Sequence, residues 1–194
     1  LAGAFPDIPV IAEESVAAGR IPSVEGGRFF LVDPLDGTKE FINKRDDFTV
    51  NIALIEDGIP VAGIVYAPAK GTAWTGGNGK IEKLLVDADF NVTARQEIGC
   101  RTPSGNLTAV ASRSHNSPET EAFLTEKGIT STKSVGSSLK FCLVAEGEAD
   151  VYPRFGRTME WDTAAGDAVL RAAGGMTVDL DGKPFRYGKT RQAH

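Results

Sequence analysis

The chain has 194 residues, of which 41% are hydrophobic and 24% charged, the balance of an ordinary globular protein with room for one large domain or two lobes. Its 21 basic and 26 acidic residues leave a net charge of −5; this argues against a general binder of nucleic acid or anionic membranes, and no apolar run reaches the ~18 residues of a membrane helix. Two distant cysteines, Cys100 and Cys142, and two histidines, His115 and His194, exclude a dense disulfide scaffold and remove most histidine-based zinc sites and Ser-His-Asp triads.

The chain opens on Leu1 rather than Met, and an upstream segment is expected to be missing or disordered. Apolar Ile8–Ala12 leads into Glu13-Glu14-Ser15. Arg28–Asp33 is rich in Phe and Val and is predicted to be a buried strand, ending at Pro34, which cannot continue a sheet ladder. Asp36–Asn43 is predicted as a short helix or turn. Phe48–Ile55 and Pro60–Tyr66 are predicted strands flanking the hairpin signal Glu56-Asp57-Gly58. Thr72–Trp74 is a further strand before the turn Gly76-Gly77-Asn78-Gly79, and Lys83–Val86 and Phe90–Thr93 are two more candidates. Gln96–Asn106 reads as turn.

The pattern then changes. Leu107–Ser112 is a predicted strand. Ser117-Pro118-Glu119 opens a helix, with a capping Ser and Pro at the first helical position; Gly128 stops it. Ser137–Gly147 is a second helix, Ala149–Tyr152 a strand and Asp162–Ala173 a third helix before Gly174-Gly175. Met176–Leu180 is a last strand, closed by the turn at Asp181–Pro184. Hairpins followed by alternating strands and helices imply an α+β lobe over 1–105 and an α/β lobe over 106–194, with a boundary near Thr102–Asn106 and a site in the cleft between them.

The informative stretch is Asp33-Pro34-Leu35-Asp36-Gly37-Thr38. Two carboxylates stand three residues apart at the end of a buried strand. Pro34 holds its own φ at about −65°, and Gly37 tolerates a turn that a Cβ would oppose. Both carboxylates and the Leu35 carbonyl can therefore aim at one point, and a small cluster of hard oxygens suits Mg²⁺. The amides of Gly37 and Thr38 begin a helical turn that would bind a phosphate. Metal site and phosphate cradle in one hexapeptide form a phosphoryl-transfer arrangement.

The plain alternative is a polar turn capping the next helix. Glu13-Glu14-Ser15 either brings another carboxylate to the same cleft or is a solvated helix start. Trp161-Asp162 either supplies a fourth or is an N-cap. Three such places, each at the mouth of an element, favour the joint site. A haloacid-dehalogenase nucleophile motif would need one residue between its aspartates, and here there are two. Gly76-Gly77-Asn78-Gly79-Lys80 lacks the four-residue gap and the Ser/Thr of a P-loop.

Glu13-Glu14-Ser15, Asp33-Pro34-Leu35-Asp36-Gly37-Thr38 and Trp161-Asp162-Thr163-Ala164-Ala165-Gly166 together resemble the lithium-sensitive, magnesium-dependent phosphatases of the inositol monophosphatase superfamily. Lys39-Glu40-Phe41, Ser112-Arg113-Ser114-His115, Gly136-Ser137-Ser138-Leu139-Lys140-Phe141 and Tyr152-Pro153-Arg154-Phe155-Gly156 resemble its bacterial 3'(2'),5'-bisphosphate nucleotidases. The resemblance implies a layered α-β-α-β-α sandwich and release of the 3'-phosphate of adenosine 3',5'-bisphosphate, with 3'-phosphoadenylyl sulfate as a second substrate. It implies a role in sulfur assimilation and nucleotide recycling, with peripheral association with the inner membrane as an option; the two sparse cysteines make a reducing cytoplasm the expected compartment, and a monomer or homodimer without nucleic-acid partners is expected.

By the same resemblance two Mg²⁺ ions, or three, serve each site. Glu13, Asp33 and the Leu35 carbonyl would hold one; Asp33, Asp36 and Asp162 would hold the second, with Asp33 bridging. Thr38 and Glu13 would orient the attacking water. The amides of Gly37 and Thr38 would hold the phosphate, together with the start of the Asp162 helix. Ser112, His115, Gly136, Lys140 and Asp162 would contact the nucleotide. Arg113, Arg154 and Arg157 are further cation candidates, and Phe155 and Trp161 are candidates to border the base. The superfamily's upstream Thr-x-Ala-Asp-type segment has no counterpart here. An inositol or sugar phosphatase remains open as an alternative, as does a catalytically inactive module that binds nucleotide or metal.

Overall fold

The computed structural model describes residues 1, 3–25, 27–112 and 117–189, except the side chain of Ser112. Strand β1 (Val10–Ala12) runs directly into helix α1 (Glu13–Ala17). Strands β2 (Arg28–Asp36), β3 (Thr49–Glu56), β4 (Ile59–Ala67), β5 (Thr72–Gly77), β6 (Lys80–Val86) and β7 (Val92–Glu97) follow, with the short helix α2 (Thr38–Ile42) between β2 and β3. They form one seven-stranded sheet in the order β1-β2-β3-β4-β5-β6-β7. Strand β1 is parallel to β2, and every later neighbour is antiparallel. The meander has a local cause: Asp57-Gly58 and Asn78-Gly79 take left-handed backbone at φ 48° and 77°, and 52° and 72°, which matches the twist of tight hairpins.

Strand β3 alternates strictly, with Thr49, Asn51, Ala53 and Ile55 buried. That inward face meets helix α5 (Glu160–Ala172), the longest helix described. The approach is close. A Cβ on Gly63 would stand 2.6 Å from the Ala165 carbonyl oxygen, and one on Gly76 2.7 Å from Val169 Cα. Any larger residue at these two positions would push the helix off the sheet.

The second part of the chain supplies strands β8 (Thr108–Ser112) and β9 (Ser131–Val135), a parallel pair, with helix α3 (Pro118–Glu126) between them. A small core of Ala109, Leu124 and Ile129 holds this unit together. Helix α4 (Leu139–Ala145) and α5 leave it and complete the larger core, where Phe141, Cys142, Trp161 and Val169 pack with Ile11, Leu31, Ile55 and Trp74. Chain from beyond residues 102–106 thus covers the sheet built before them.

Several expectations change. Strand β2 does not stop at Pro34 but runs to Asp36, with its register jumping from Asp33↔Asn51 to Asp36↔Thr49. One extra residue on β2 makes a bulge, and exposed Pro34 sits in it, where its missing N–H costs no ladder bond. Ala149–Tyr152 and Met176–Leu180 are not strands; each contributes a single bridge, Ala109↔Val151 and Val178↔Pro184. Helix α4 begins at Leu139 rather than Ser137, because Ser137 is left-handed at φ 47°. Helix α5 begins at Glu160, so Asp162 lies inside its first turn and Met159 is the N-cap.

The C-terminal segment returns as a strap. Tyr187 N–H donates to the Gly58 carbonyl in the β3–β4 turn (3.1 Å). Glu160 accepts the amides of Gly188 (2.7 Å) and Lys189 (3.1 Å), and Asp167 accepts the Tyr187 hydroxyl (2.9 Å).

Candidate active site

The bend after Asp33 is built by its own short-range bonds. Leu35 N–H donates to Asp33 Oδ1 (2.9 Å), and the Thr38 hydroxyl donates to the Leu35 carbonyl (3.3 Å). Gly37, left-handed at φ 89°, caps α2, and a Cβ there would press on the Asp47 carbonyl at 3.1 Å and on Ser137 Cβ at 3.3 Å. Asp36 is oriented by three donors on one oxygen. Its Oδ2 receives Thr49 Oγ1 (3.4 Å), Asn51 Nδ2 (3.2 Å) and Ser138 Oγ (2.8 Å). Thr49 and Asn51 share a face because side chains two apart on a strand point the same way.

Asp162 arrives from α5. Its Oδ2 accepts Thr158 Oγ1 (2.9 Å) and the Met159 amide (3.1 Å), which fixes the carboxylate over the helix start. Glu13 arrives through β1. Parallel pairing of Ala12 with Val32 sets the next residue beside Asp33, and the two carboxyls hydrogen-bond. Glu13 is exposed at the rim, whereas Asp33 is buried.

Electrostatics mark the cluster. Burial, then Asp36, Glu13 and Asp162, push the Asp33 carboxyl from 3.8 up to about 8, against the opposing Leu35 amide. Glu13 is raised by burial first and then by Asp162; Asp162 is raised by burial first, with the Met159 amide opposing and Asp36 adding to the rise. Like carboxylates this close require a proton or a cation among them. Among the described residues, no three acidic, histidine or cysteine side chains are drawn tightly enough to enclose an ion by themselves. The all-oxygen donor set of the four carboxylates fits a hard divalent cation.

A cavity of about 380 Å³ opens beside the cluster, with Asp36, Gly37, Thr38 and Asp162 on one wall and Lys140 and Arg154 in its lining. Gly136, Arg157 and Phe155 also line it, and Phe155 packs on Phe123 with ring centroids 5.9 Å apart. The Lys140 amine is turned inward. It donates to the carbonyls of Ser137 (2.7 Å) and Val135 (3.5 Å), lies 5.5 Å from the Tyr152 ring centre, and is pushed down to about 8 by burial first. Arg154 donates to the Tyr152 hydroxyl and the Arg157 carbonyl (both 3.3 Å).

The structure therefore brings Glu13, Asp33, Asp36 and Asp162 together, and sets Gly37, Thr38, Gly136 and Lys140 around the adjoining cavity. The Leu35 carbonyl accepts the Thr38 hydroxyl and is not among the cavity-lining groups. Trp161 is a core residue, not a border of the cavity. His115, Arg113 and the Ser112 side chain lie outside the described residues. The reading from sequence passed over Thr49, Asn51, Ser138 and Thr158, which hold the acidic groups. A signal existed for the first two: Thr49 and Asn51 are polar residues two apart in an otherwise apolar strand.

Residues 1–193 match the inositol monophosphatase family. The chain is 47% identical to the 3'(2'),5'-bisphosphate nucleotidase CysQ of Escherichia coli K12 and 48% identical to that of Salmonella typhimurium, in both cases over 94% of this chain and 71% of the relative. It superposes on the crystal structure of CysQ from Bacteroides thetaiotaomicron with a TM-score of 0.82 and 37% identity, covering 99% of this chain and 77% of that one. With this sheet, this helix packed on it and this acidic bend between them, the chain belongs to the inositol monophosphatase family.

Proposed function

We propose that the protein is a Mg²⁺-dependent phosphomonoesterase that hydrolyses the 3'-phosphate of adenosine 3',5'-bisphosphate to AMP and phosphate, and accepts 3'-phosphoadenylyl sulfate as a second substrate. Relatives at 47% and 48% identity carry the name 3'(2'),5'-bisphosphate nucleotidase. The observation that carries the reading is the meeting of Glu13, Asp33, Asp36 and Asp162, with Asp33 raised to about 8, beside a cavity that Asp36 and Asp162 line together with Lys140 and Arg154.

Glu13, Asp33, the Leu35 carbonyl, Asp36 and Asp162 would hold two Mg²⁺ ions, which supply charge neutralisation of the phosphate and a lowered pKa for water. The remaining work falls to the chain. The amides of Gly37 and Thr38 hold the phosphate at the start of α2. The Thr38 hydroxyl, tethered to the Leu35 carbonyl, and the Glu13 carboxylate orient the attacking water in line with the departing ribose oxygen. Arg154 and Arg157 face the second phosphate. Lys140, whose amine is committed to two backbone carbonyls, shapes the Gly136–Ser138 turn and adds its charge from below. Phe155, on the cavity wall, receives the base. The reading assigns the enzyme to the cytoplasm, a reducing compartment that suits the free thiols Cys100 and Cys142.

The test compares kcat/KM for adenosine 3',5'-bisphosphate and for inositol 1-phosphate under saturating Mg²⁺. The nucleotide is expected to be preferred and Li⁺ to inhibit. Hydrolysis of inositol phosphate with none of the nucleotide would give the substrate to the alternative reading. Tight nucleotide binding without phosphate release would make the protein a binding module.

A further inference from the structure

Ser138 is 2% exposed and sits at the start of α4, yet its hydroxyl reaches three other parts of the fold. It receives Asn51 Nδ2 from β3 (2.8 Å), stands 2.8 Å from Asp36 Oδ2 at the β2 bend, and 2.9 Å from the backbone carbonyl of Asp162 in the first turn of α5. Asp36 and Asp162 are 126 residues apart in the chain, and this one oxygen touches both.

A hydroxyl has one proton and two lone pairs. Asn51 occupies one lone pair. The proton then goes to Asp36 Oδ2 or to the Asp162 carbonyl, and the carboxylate is the stronger acceptor. The Asp162 carbonyl lies within the hydrogen-bond ladder of α5 and has a second partner there. The Ser138 proton therefore serves Asp36, and Ser138 is its shortest donor; Thr49 and Asn51 stand farther off on the same oxygen. All three donors hold Oδ2, so Asp36 Oδ1 accepts none of these bonds.

The turn that presents Ser138 is itself held from two sides. Gly136 N–H donates to Asp47 Oδ2 (3.3 Å), and the Lys140 amine grips the Ser137 carbonyl (2.7 Å). A Cβ on Gly136 would meet the Asp47 carbonyl at 2.7 Å. Ser137 is kept left-handed at φ 47°, which a non-glycine residue adopts only when its surroundings impose it. A strained, doubly tethered turn makes a rigid mount.

We propose that Ser138 is a positioning residue for Asp36: seated against the first turn of α5, it donates to Oδ2 and fixes the carboxylate in the orientation that binding a divalent cation beside Asp162 requires. The proposal rests on the phosphatase reading above. A hydroxyl that merely filled the core would affect folding stability and leave cation affinity alone. Partners that orient the groups around a metal behave differently, since their loss commonly costs about 10- to 100-fold in metal affinity or activity.

The test uses Mg²⁺ titrated calorimetrically into wild type and variants, alongside steady-state kinetics. Ser138→Ala is expected to weaken Mg²⁺ binding by about 10-fold or more and to lower kcat in the same range, with KM for adenosine 3',5'-bisphosphate within about twofold. Ser138→Thr and Ser138→Val form a second comparison that does not depend on how the alanine variant folds. They share a shape and differ by the hydroxyl, so Thr should bind Mg²⁺ about 10-fold more tightly than Val. Equal Mg²⁺ affinity in the Thr and Val variants, or wild-type affinity and turnover in Ser138→Ala, overturns the positioning role. Asp36→Asn separates the two layers: if it abolishes turnover while Ser138→Ala does not, only the positioning role is lost, and if neither variant affects turnover, the phosphatase site itself is misassigned.

Discussion

Asp162 and Asp167 lie five residues apart on α5, and their surroundings are opposites. Around Asp162 gather Glu13, Asp33 and Asp36, and burial with mutual repulsion drives Asp33 up to about 8. Asp167 is fully buried and answered on every side: Arg171 donates through Nε (3.0 Å) and pairs through its terminal nitrogen (2.9 Å), and the Tyr187 hydroxyl donates at 2.9 Å. One helix thus carries a carboxylate paired with a cation and another set among like groups. The first ties the C-terminal strap to the sheet and serves stability. The second gathers like groups at a cost in stability, which supports the cation site proposed there.

Substitutions at the two places should separate activity from stability. The largest effect is expected for Asp36→Asn, which removes one charge from the cluster but keeps an oxygen for Thr49, Asn51 and Ser138. With Asp36 a ligand of the proposed Mg²⁺ ions, its loss should lower kcat by two orders of magnitude or more, about 3 kcal/mol. The melting temperature in EDTA should not fall, because repulsion is relieved. On the strap side, Tyr187→Phe should do the reverse. Removing one hydrogen bond to a buried charge costs about 1.5–3 kcal/mol and should lower the melting temperature by roughly 3–10 °C, while kcat per folded molecule stays the same.

A smaller effect concerns pH. Asp33 binds its proton more tightly in the folded chain, at about 8, than at the ordinary 3.8. The stability this contributes is full below about pH 4 and is lost as pH rises through 8. The melting temperature in EDTA should therefore decline from pH 5 to pH 8, the decline should flatten in Asp33→Asn, and Mg²⁺ should restore what is lost at the alkaline end. A flat wild-type profile would remove the electrostatic argument for the cluster. The smallest effect belongs to Asp150, held down to about 2 chiefly by its hydrogen bonds from Arg101, with the Thr108 amide assisting. Its contribution is present above about pH 4 and lost as pH falls through 2. Arg101→Met should weaken only this acid-side tolerance, and added salt should shrink the difference, since Arg101 is exposed.

Local chemistry was legible from neighbours in the chain. The bend Asp33–Thr38 could be read because a proline, a glycine and two carboxylates dictate a turn within six residues. The hairpins at Asp57-Gly58 and Asn78-Gly79 could be read because those dipeptides accept left-handed backbone. The start of α3 could be read because Ser117 and Pro118 cap and begin a helix. Strand β9 could not, since Ser-Thr-Lys-Ser-Val is polar and mostly exposed and becomes a strand only by pairing with β8. Nor could β1, three residues long, whose pairing to β2 brings Glu13 to the site.

By itself the sequence determined which residues bear charge, where the backbone must turn, and that the acidic motifs resemble those of one phosphatase family. Only the tertiary structure decided that Asp162 is reached inside the first turn of α5 rather than at its cap, that Trp161 belongs to the core, and that Ser138 stands between Asp36 and α5. The division has a physical cause. Turns and caps are set by interactions over a few residues, whereas the meeting of residues 13, 33, 36, 138 and 162 depends on sheet register and on two glycines that let a helix lie close against the strands.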